Sequence, residues 1–256
     1  MALTIASQWT TEVKILTLLI NLDRSVERLA AVDDQFRRAG WPYERFRAIE
    51  PEVVENHPEL DHRRFLRLHN RSIRRGELGC ALSHKRCLEQ FLATDEAYLV
   101  VFEDDVCLDE RTFPTVLKTL EWLEMHCNAD WHCINLSSGY AKRCRDLTMI
   151  EGRILRRSWQ FPLLTSALLW NRKGAAAFLA HLNKGLIHTT VDNQLRAFLG
   201  RIGQGLSFDT PPVGLTQGPS EINPEGTRKK TTRNGWHDLK RRLPIYAWAL
   251  WHQYRR

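Results

Sequence analysis

Residues Ala97-Tyr98-Leu99-Val100-Val101-Phe102-Glu103-Asp104-Asp105-Val106 drive an apolar, β-branched run into three consecutive carboxylates. A strand buried on both faces carries a continuous apolar run rather than a two-residue alternation, and open α/β sheets bind ligands beyond the carboxyl ends of such strands. Adjacent acids repel one another, so a cation or a set of hydrogen-bond donors at this triplet relieves an electrostatic cost. Oxygen ligands suit Mg²⁺ or Mn²⁺, which take one or two carboxylates, water and the phosphates of a bound molecule. The stretch therefore reads either as a metal site for nucleotide-diphosphate chemistry or as a strand ending in an acidic surface turn.

Around it, strands and helices alternate. Lys14 to Leu22 is an apolar strand, and Asp23-Arg24-Ser25-Val26-Glu27-Arg28 opens a helix that runs to about Ala39 and stops at Gly40. A second strand is expected from Tyr43 to Ala48, then a polar, irregular or helical stretch from Pro51 to Arg75, then a helix from Gly76 or Glu77 to Leu92. After the acidic strand, Pro114 to Cys127 reads as a helix, Trp131 to Leu136 as a strand, Ile150 to Leu155 as a weaker strand and Phe161 to Trp170 as a buried one. Arg172 to Leu182 and Asp192 to Leu199 read as helices, and residues 203–227 are rich in Gly and Pro. The pattern predicts an α/β fold with a mostly parallel central sheet flanked by helices over residues 1–227.

The chain has 256 residues and is 43% apolar, enough to bury a full core. No apolar run approaches the roughly 20 residues of a membrane span, and the amino terminus lacks a basic region followed by an apolar stretch, so a cytosolic protein without a secretion signal is expected. The six cysteines form no CxxC pair, which favours free buried thiols; His126-Cys127 and His132-Cys133 offer zinc ligands at a spacing that fits no common zinc pattern.

Charge is unevenly spread. Nine Lys or Arg against one acid, Asp238, give residues 228–256 a net +8, and the other 28 basic and 29 acidic side chains leave residues 1–227 at −1. The same tail holds Trp236, Tyr246, Trp248, Trp251 and Tyr254 around Leu243, Ile245 and Leu250. Cationic and indole side chains together suit an anionic membrane surface, while a carboxyl-terminal helix docked on the body is the alternative; Pro244 would break or start such a helix. The chain offers no recognised nucleic-acid module.

Several short motifs in order resemble those of glycosyltransferase family 25: Ile20-Asn21-Leu22-Asp23-Arg24, Gly76-Glu77-Leu78-Gly79-Cys80-Ala81-Leu82-Ser83-His84 and Phe102-Glu103-Asp104-Asp105. Thr165-Ser166-Ala167-Leu168-Leu169 before Lys173-Gly174-Ala175, Val191-Asp192-Asn193-Gln194-Leu195, and Pro212-Val213 before Gln217 and Ser220 extend the match across roughly residues 14–222. The family includes bacterial lipooligosaccharide galactosyltransferases and relatives of the collagen galactosyltransferases. The resemblance implies a glycosyltransferase-A-type, Rossmann-like fold, a nucleotide-sugar donor (usually UDP-galactose), a divalent cation and inversion at the anomeric carbon. It also implies a glycan or glycolipid acceptor such as a lipopolysaccharide core, met at the inner face of a bacterial inner membrane.

Charge builds on a leaving nucleoside diphosphate as the glycosidic bond breaks, so a cation across its phosphates favours the transition state. Asp105 is the first expected ligand and Glu103 the second, because alternate side chains of an extended segment share a face; Asp104 then points elsewhere, to a ribose hydroxyl or as an alternative base. Gln217, at a late position that the resemblance matches, is a candidate for the metal or a phosphate, or an ordinary surface amide. Inversion needs a general base opposite the leaving group, and Asp192 is the candidate; as an Asp opening a helix, it reads equally as an N-cap. Asn21, Asp23, Arg24 and Arg28 stand where a strand end and a helix start would meet the donor, although Arg24 and Arg28 also suit a solvated helix pair. Gly79 permits close backbone approach, Ser83 and His84 offer bonds to ribose or phosphate, and Thr165 and Ser166 join them through the resemblance. Arg63, Arg64, Arg67, Arg71, Arg74 and Arg75 form a basic stretch suited to an anionic acceptor or to a solvated helix face. Acids at strand ends also suit a metal-dependent phosphohydrolase or nucleotidyltransferase, and the basic tail alone suits a noncatalytic membrane-binding adaptor.

Overall fold

The computed structural model describes residues 14–127, 130–139, 142–216 and 235–254. Along them the chain forms β1 (Ile15–Asn21), α1 (Val26–Arg38), β2 (Glu44–Arg47), α2 (His62–His69), α3 (Arg75–Leu92), β3 (Tyr98–Glu103), β4 (Val106–Cys107), α4 (Thr112–Cys127) and β5 (Cys133–Asn135). There follow β6 (Cys144–Ile150), β7 (Arg153–Ser158), β8 (Ala167–Asn171), α5 (Arg172–Gly185), α6 (Val191–Ile202), β9 (Gly205–Phe208), β10 (Gly214–Leu215) and α7 (Gly235–Tyr254). Among the described residues one mixed sheet runs β2-β1-β3-β8-β5-β9-β7-β6, and β4 pairs with β10 apart from it. Only β8 and β7 oppose the common direction, so the sheet is mostly parallel by strand direction, as expected, with antiparallel pairings wherever those two strands meet a neighbour.

The two-residue strand period divides the core. From β1 and β3, Leu19, Val100 and Phe102 face α1 and α4, meeting Val32, Phe36, Val116, Leu120 and Leu123. Their neighbours Leu18, Ile20, Leu99 and Val101 face α3, α5 and α6, meeting Leu88, Phe91, Phe178, Leu195 and Leu199. Helices on both faces explain why Leu99 to Phe102 are all apolar and all buried. Arg172 fastens the far end of α3: its guanidinium donates to the carbonyls of Leu92, Thr94 and Glu96 at 2.8 to 3.0 Å and lies 5.0 Å from the Phe91 ring centroid.

Several expectations are corrected. The strand expected from Ile150 to Leu155 is the tip of the β6–β7 hairpin, where Glu151 and Gly152 take φ of 48° and 75°, the pair of positive values a tight hairpin turn requires. The buried strand expected from Phe161 begins only at Ala167, and the Gly- and Pro-rich stretch after residue 203 contains β9 and β10, four and two residues long. Pro244 neither starts nor ends a helix but lies inside α7. The extended segment expected through Asp105 ends at Glu103, and the chain turns at Asp104 and Asp105. The boundary proposed at residue 227 lies outside the described residues. No helix among the described residues is long and apolar enough to cross a membrane.

Phe36 is the node of one core half, with ring centroids 4.5 Å from Tyr43, 5.2 Å from Phe102 and 6.2 Å from Trp41. Phe36→Ala is expected to lower unfolding free energy by about 3–5 kcal/mol, measured by denaturant titration.

Candidate active site

The sheet register assembles the site. Ile20 pairs with Glu103, so Asn21 at the end of β1 lies beside Asp104 just beyond β3. The reversed strand β8 enters the sheet next to this end, pairing Ala167 with Phe102, and the backbone of Glu103 donates to the Ser166 carbonyl at 2.9 Å. Thr165 and Ser166 are thereby carried to the acids by a strand that runs the opposite way.

Period two also fixes where Glu103 points. It shares the face of Leu99 and Val101, toward α3, where Cys80 and His84 lie one turn apart. Glu103 Oε1 receives the Thr165 hydroxyl at 2.7 Å, lies 3.0 Å from His84 Nε2, and accepts from the Cys80 thiol at 3.7 Å. Burial alone would raise the Glu103 carboxyl, yet the hydrogen bond and charge of His84, with Thr165 and Cys80, hold it below the ordinary carboxylate range. Burial, reinforced by the Glu103 charge, pushes the Cys80 thiol well up. Among the described residues, Cys80, His84 and Glu103 are a group whose potential metal-binding atoms converge, within 4.8 Å of one another. No such convergence occurs at His132-Cys133, whose thiol is buried in the core; the Cys127 side chain lies outside the described residues.

Asp104 is spoken for. Asn21 Nδ2 donates to its Oδ2 at 2.8 Å and Arg28 reaches its Oδ1 at 2.9 Å, which accounts for both carboxylate oxygens. Asp105 is different: its Oδ1 is buried and meets no hydrogen-bond donor among the described residues. Burial first, and then the charge of Glu103, raise the Asp105 carboxyl to about 6, against the pull of Arg28 and a hydrogen bond with Ser166. A buried carboxylate oxygen with no donor is the kind of group a hard cation would bind, and the carboxylates of Asp105 and its neighbours suit Mn²⁺ or Mg²⁺. All three partners of Glu103 meet it at Oε1, and its side chain also lines the cavity. The Asp105 carbonyl is pinned from the other side by the backbone and hydroxyl of Thr216 at 2.8 and 3.1 Å, because β10 pairs with β4. Gln217, the next residue, lies outside the described residues.

All three acids line a cavity of about 350 Å³ together with Asn21, Arg24, Arg28, Gly79 and Ser83. Gly79 is there because α3 presses on the loop after β2: a Cβ at this position would stand 2.4 Å from the Ile49 carbonyl. Ser83 tightens the same contact, accepting from Ile49 N–H and donating to the Gly79 carbonyl, both at 2.8 Å, so its hydroxyl is occupied by the scaffold. Arg24 pairs with Glu50 within the lining. Asp23 is outside it, held at the surface by Arg45 and Arg47 at 2.7 Å each. His84 stands behind Glu103 rather than in the lining.

Asp192 lies in the first turn of α6 but is not its cap; that position belongs to Thr190, whose hydroxyl donates to Asp192 Oδ1 at 2.5 Å. Asp192 is not among the residues lining the cavity, although its charge acts on the Cys80 thiol. Arg74 and Arg75, expected to meet an anionic acceptor or solvent, line the cavity at the start of α3, and Cys80 and Glu50, which had no expected role there, line it too. Cys80 carried a signal, four residues before His84 on one helix face.

The model described as "Glycosyltransferase family 25 (LPS biosynthesis protein)" matches residues 15–192. A curated Haemophilus influenzae protein carrying a provisional glycosyltransferase name is 30% identical over 93 residues, which cover 36% of this chain and 33% of that one; the match thus spans about a third of the relative's length. A crystal structure of a glycosyltransferase involved in the glycosylation of the major capsid of PBCV-1 aligns over 67% of this chain and 68% of that chain, at 11% identity and a TM-score of 0.32.

The Asp105 carboxyl titrates near 3.8 when unfolded and near 6 when folded, so ionised Asp105 opposes folding fully above pH 6 and not at all below about pH 4. Asp105→Asn is expected to stabilise the metal-free protein by up to about 3 kcal/mol at pH 7.5. The gain disappears by pH 4, measured by denaturant titration at both values.

Proposed function

We propose an activity from one premise: this chain belongs to glycosyltransferase family 25. Its mixed sheet, with acids and basic groups gathered at one strand end, is the glycosyltransferase-A-type arrangement that the resemblance implied. The reaction is an inverting, cation-dependent transfer of a hexose, with UDP-galactose the favoured donor. The acceptor is a lipooligosaccharide or lipopolysaccharide-core glycan, or another lipid-linked one, at the cytosolic face of a bacterial inner membrane. The orphaned, buried Asp105 Oδ1 inside an arginine-lined cavity carries this reading.

Asp105 would hold Mn²⁺ or Mg²⁺, with Glu103 the second acid, and the ion would supply positive charge for the departing diphosphate. Arg28 is held in place by Asp104, and Arg24, Arg74 and Arg75 face the same cavity, so cationic groups surround the space for phosphates before a donor arrives. Asp192 takes the proton of the attacking acceptor hydroxyl, its carboxylate steadied by Thr190 and by the Asn193 backbone at 2.7 Å. The family premise favours this over the phosphohydrolase, nucleotidyltransferase and adaptor readings.

Isothermal titration with UDP-galactose, UDP-glucose and UDP-N-acetylglucosamine, each with Mn²⁺ and with EDTA, tests the donor site. Asp105→Ala is expected to weaken Mn²⁺-dependent binding by about 100-fold. Binding of none of the donors under either condition would overturn the proposal. Asp192→Asn is expected to lower kcat by about 10²–10⁴-fold while donor affinity stays unchanged. Equal kcat in variant and parent would remove Asp192 as the base.

A further inference from the structure

Sugar transfer leaves the outer face of α7 unused. The helix rests on α6 and touches α2. Its inner face is built from positions at helical spacing: Ala249 is fully buried, Ile245 lies over Gly200, and the His252 ring covers Gly203 with Nε2 2.9 Å from the Arg201 carbonyl. Gln253 adds a side contact, accepting from Arg143 at 2.9 Å. The docked helix of the sequence reading is therefore present, and docking consumes only part of its surface.

Among the described side chains of residues 243–254, the remaining face is largely apolar and in contact with solvent. Leu243, Trp248, Leu250, Trp251 and Tyr254 are between 37% and 75% exposed. From Leu243 to Tyr254 the sequence contains no Asp, Glu, Lys or Arg, whereas a helix face turned to water normally carries charge. Basic residues bracket this stretch in the sequence, Lys240-Arg241-Arg242 before it and Arg255-Arg256 after it. Adjoining α2 exposes Arg63, Arg64 and Arg67 beside Leu66. Indole and phenol rings favour the headgroup layer, where the ring is half buried and its polar edge stays wet, and Lys and Arg meet lipid phosphates there. The net +8 of residues 228–256 would repel a second copy of the same surface and attract an anionic one.

We propose that the outer face of α7 lies in the headgroup region of an anionic bilayer, with the arginines of α2 meeting lipid phosphates. The helix lies on the membrane and does not cross it, consistent with its length and polarity. The proposal is independent of donor chemistry, since lipid binding is read without sugar transfer and survives or fails separately from it.

Full-length protein is mixed with sucrose-loaded vesicles of phosphatidylglycerol and phosphatidylethanolamine, or of phosphatidylcholine alone, and sedimented at low and high salt. The anionic vesicles are expected to carry it down, the neutral ones to do so at least about tenfold less, and salt to weaken binding. Trp248→Ser with Trp251→Ser is expected to reduce partitioning by about tenfold or more. Lipids brominated near the headgroup are expected to quench part of the parent protein's tryptophan emission, a readout that needs no variant. No sedimentation with anionic vesicles, unchanged partitioning of the double variant, or absent quenching would overturn the proposal. A lipid-free dimer in analytical ultracentrifugation that the double variant abolishes would instead assign the face to a second copy.

Discussion

A carboxylate at the end of a buried strand is expensive unless it is fully hydrogen-bonded, and Glu103 imposes that requirement on everything around it. The alternation of β3 turns it toward α3, so α3 must present His84 at that height. β8 must then enter the sheet in reverse to bring the Thr165 hydroxyl to the same oxygen. Arg172, at the foot of α3, ties that helix to the residue where β8 ends and α5 begins, so the two suppliers of Glu103 are joined to each other as well.

Beside Glu103, whose Oε1 takes three partners, the other two acids differ sharply. Asp104 spends both oxygens on Asn21 and Arg28 and so fixes a guanidinium at the cavity wall. Asp105 retains a buried oxygen with no donor among the described residues. Three acids in a row thus differ in their surroundings: one bonded through Oε1, one anchoring Arg28, and one with a buried oxygen that no described donor reaches. The cavity balances them with Arg24, Arg28, Arg74 and Arg75, which lowers the reorganisation needed when a multiply charged molecule enters.

Much of this was legible in the chain. The apolar run into Glu103-Asp104-Asp105 announced a doubly covered strand ending in acids, and the Gly76 to His84 motif lies on the helix that faces it. The arrangement of the acids was less legible, because a local rule for extended chain cannot foresee a turn at Asp104. The Glu151-Gly152 hairpin was hidden because Glu does not advertise a positive φ, and β9 and β10 because short strands borrow their stability from neighbours rather than from their own residues. Arg74 and Arg75 looked like members of a solvated basic run; only the approach of α3 to the Ile49 loop gives them a cavity to line.

The reversed strand also sets the order in which the molecule can be completed. β3 is flanked by β1 on one side and by β8 on the other, yet β8 is made more than sixty residues after β3. At ribosomal speeds of about 5–20 residues per second, the edge of Tyr98–Glu103 stays unpaired for several seconds during synthesis. That edge is uncharged until its last residue, the kind of strand that recruits a wrong partner. Until β8 has been made, neither Thr165 nor Ser166 can reach the acids, so the site is completed only by the last third of the chain.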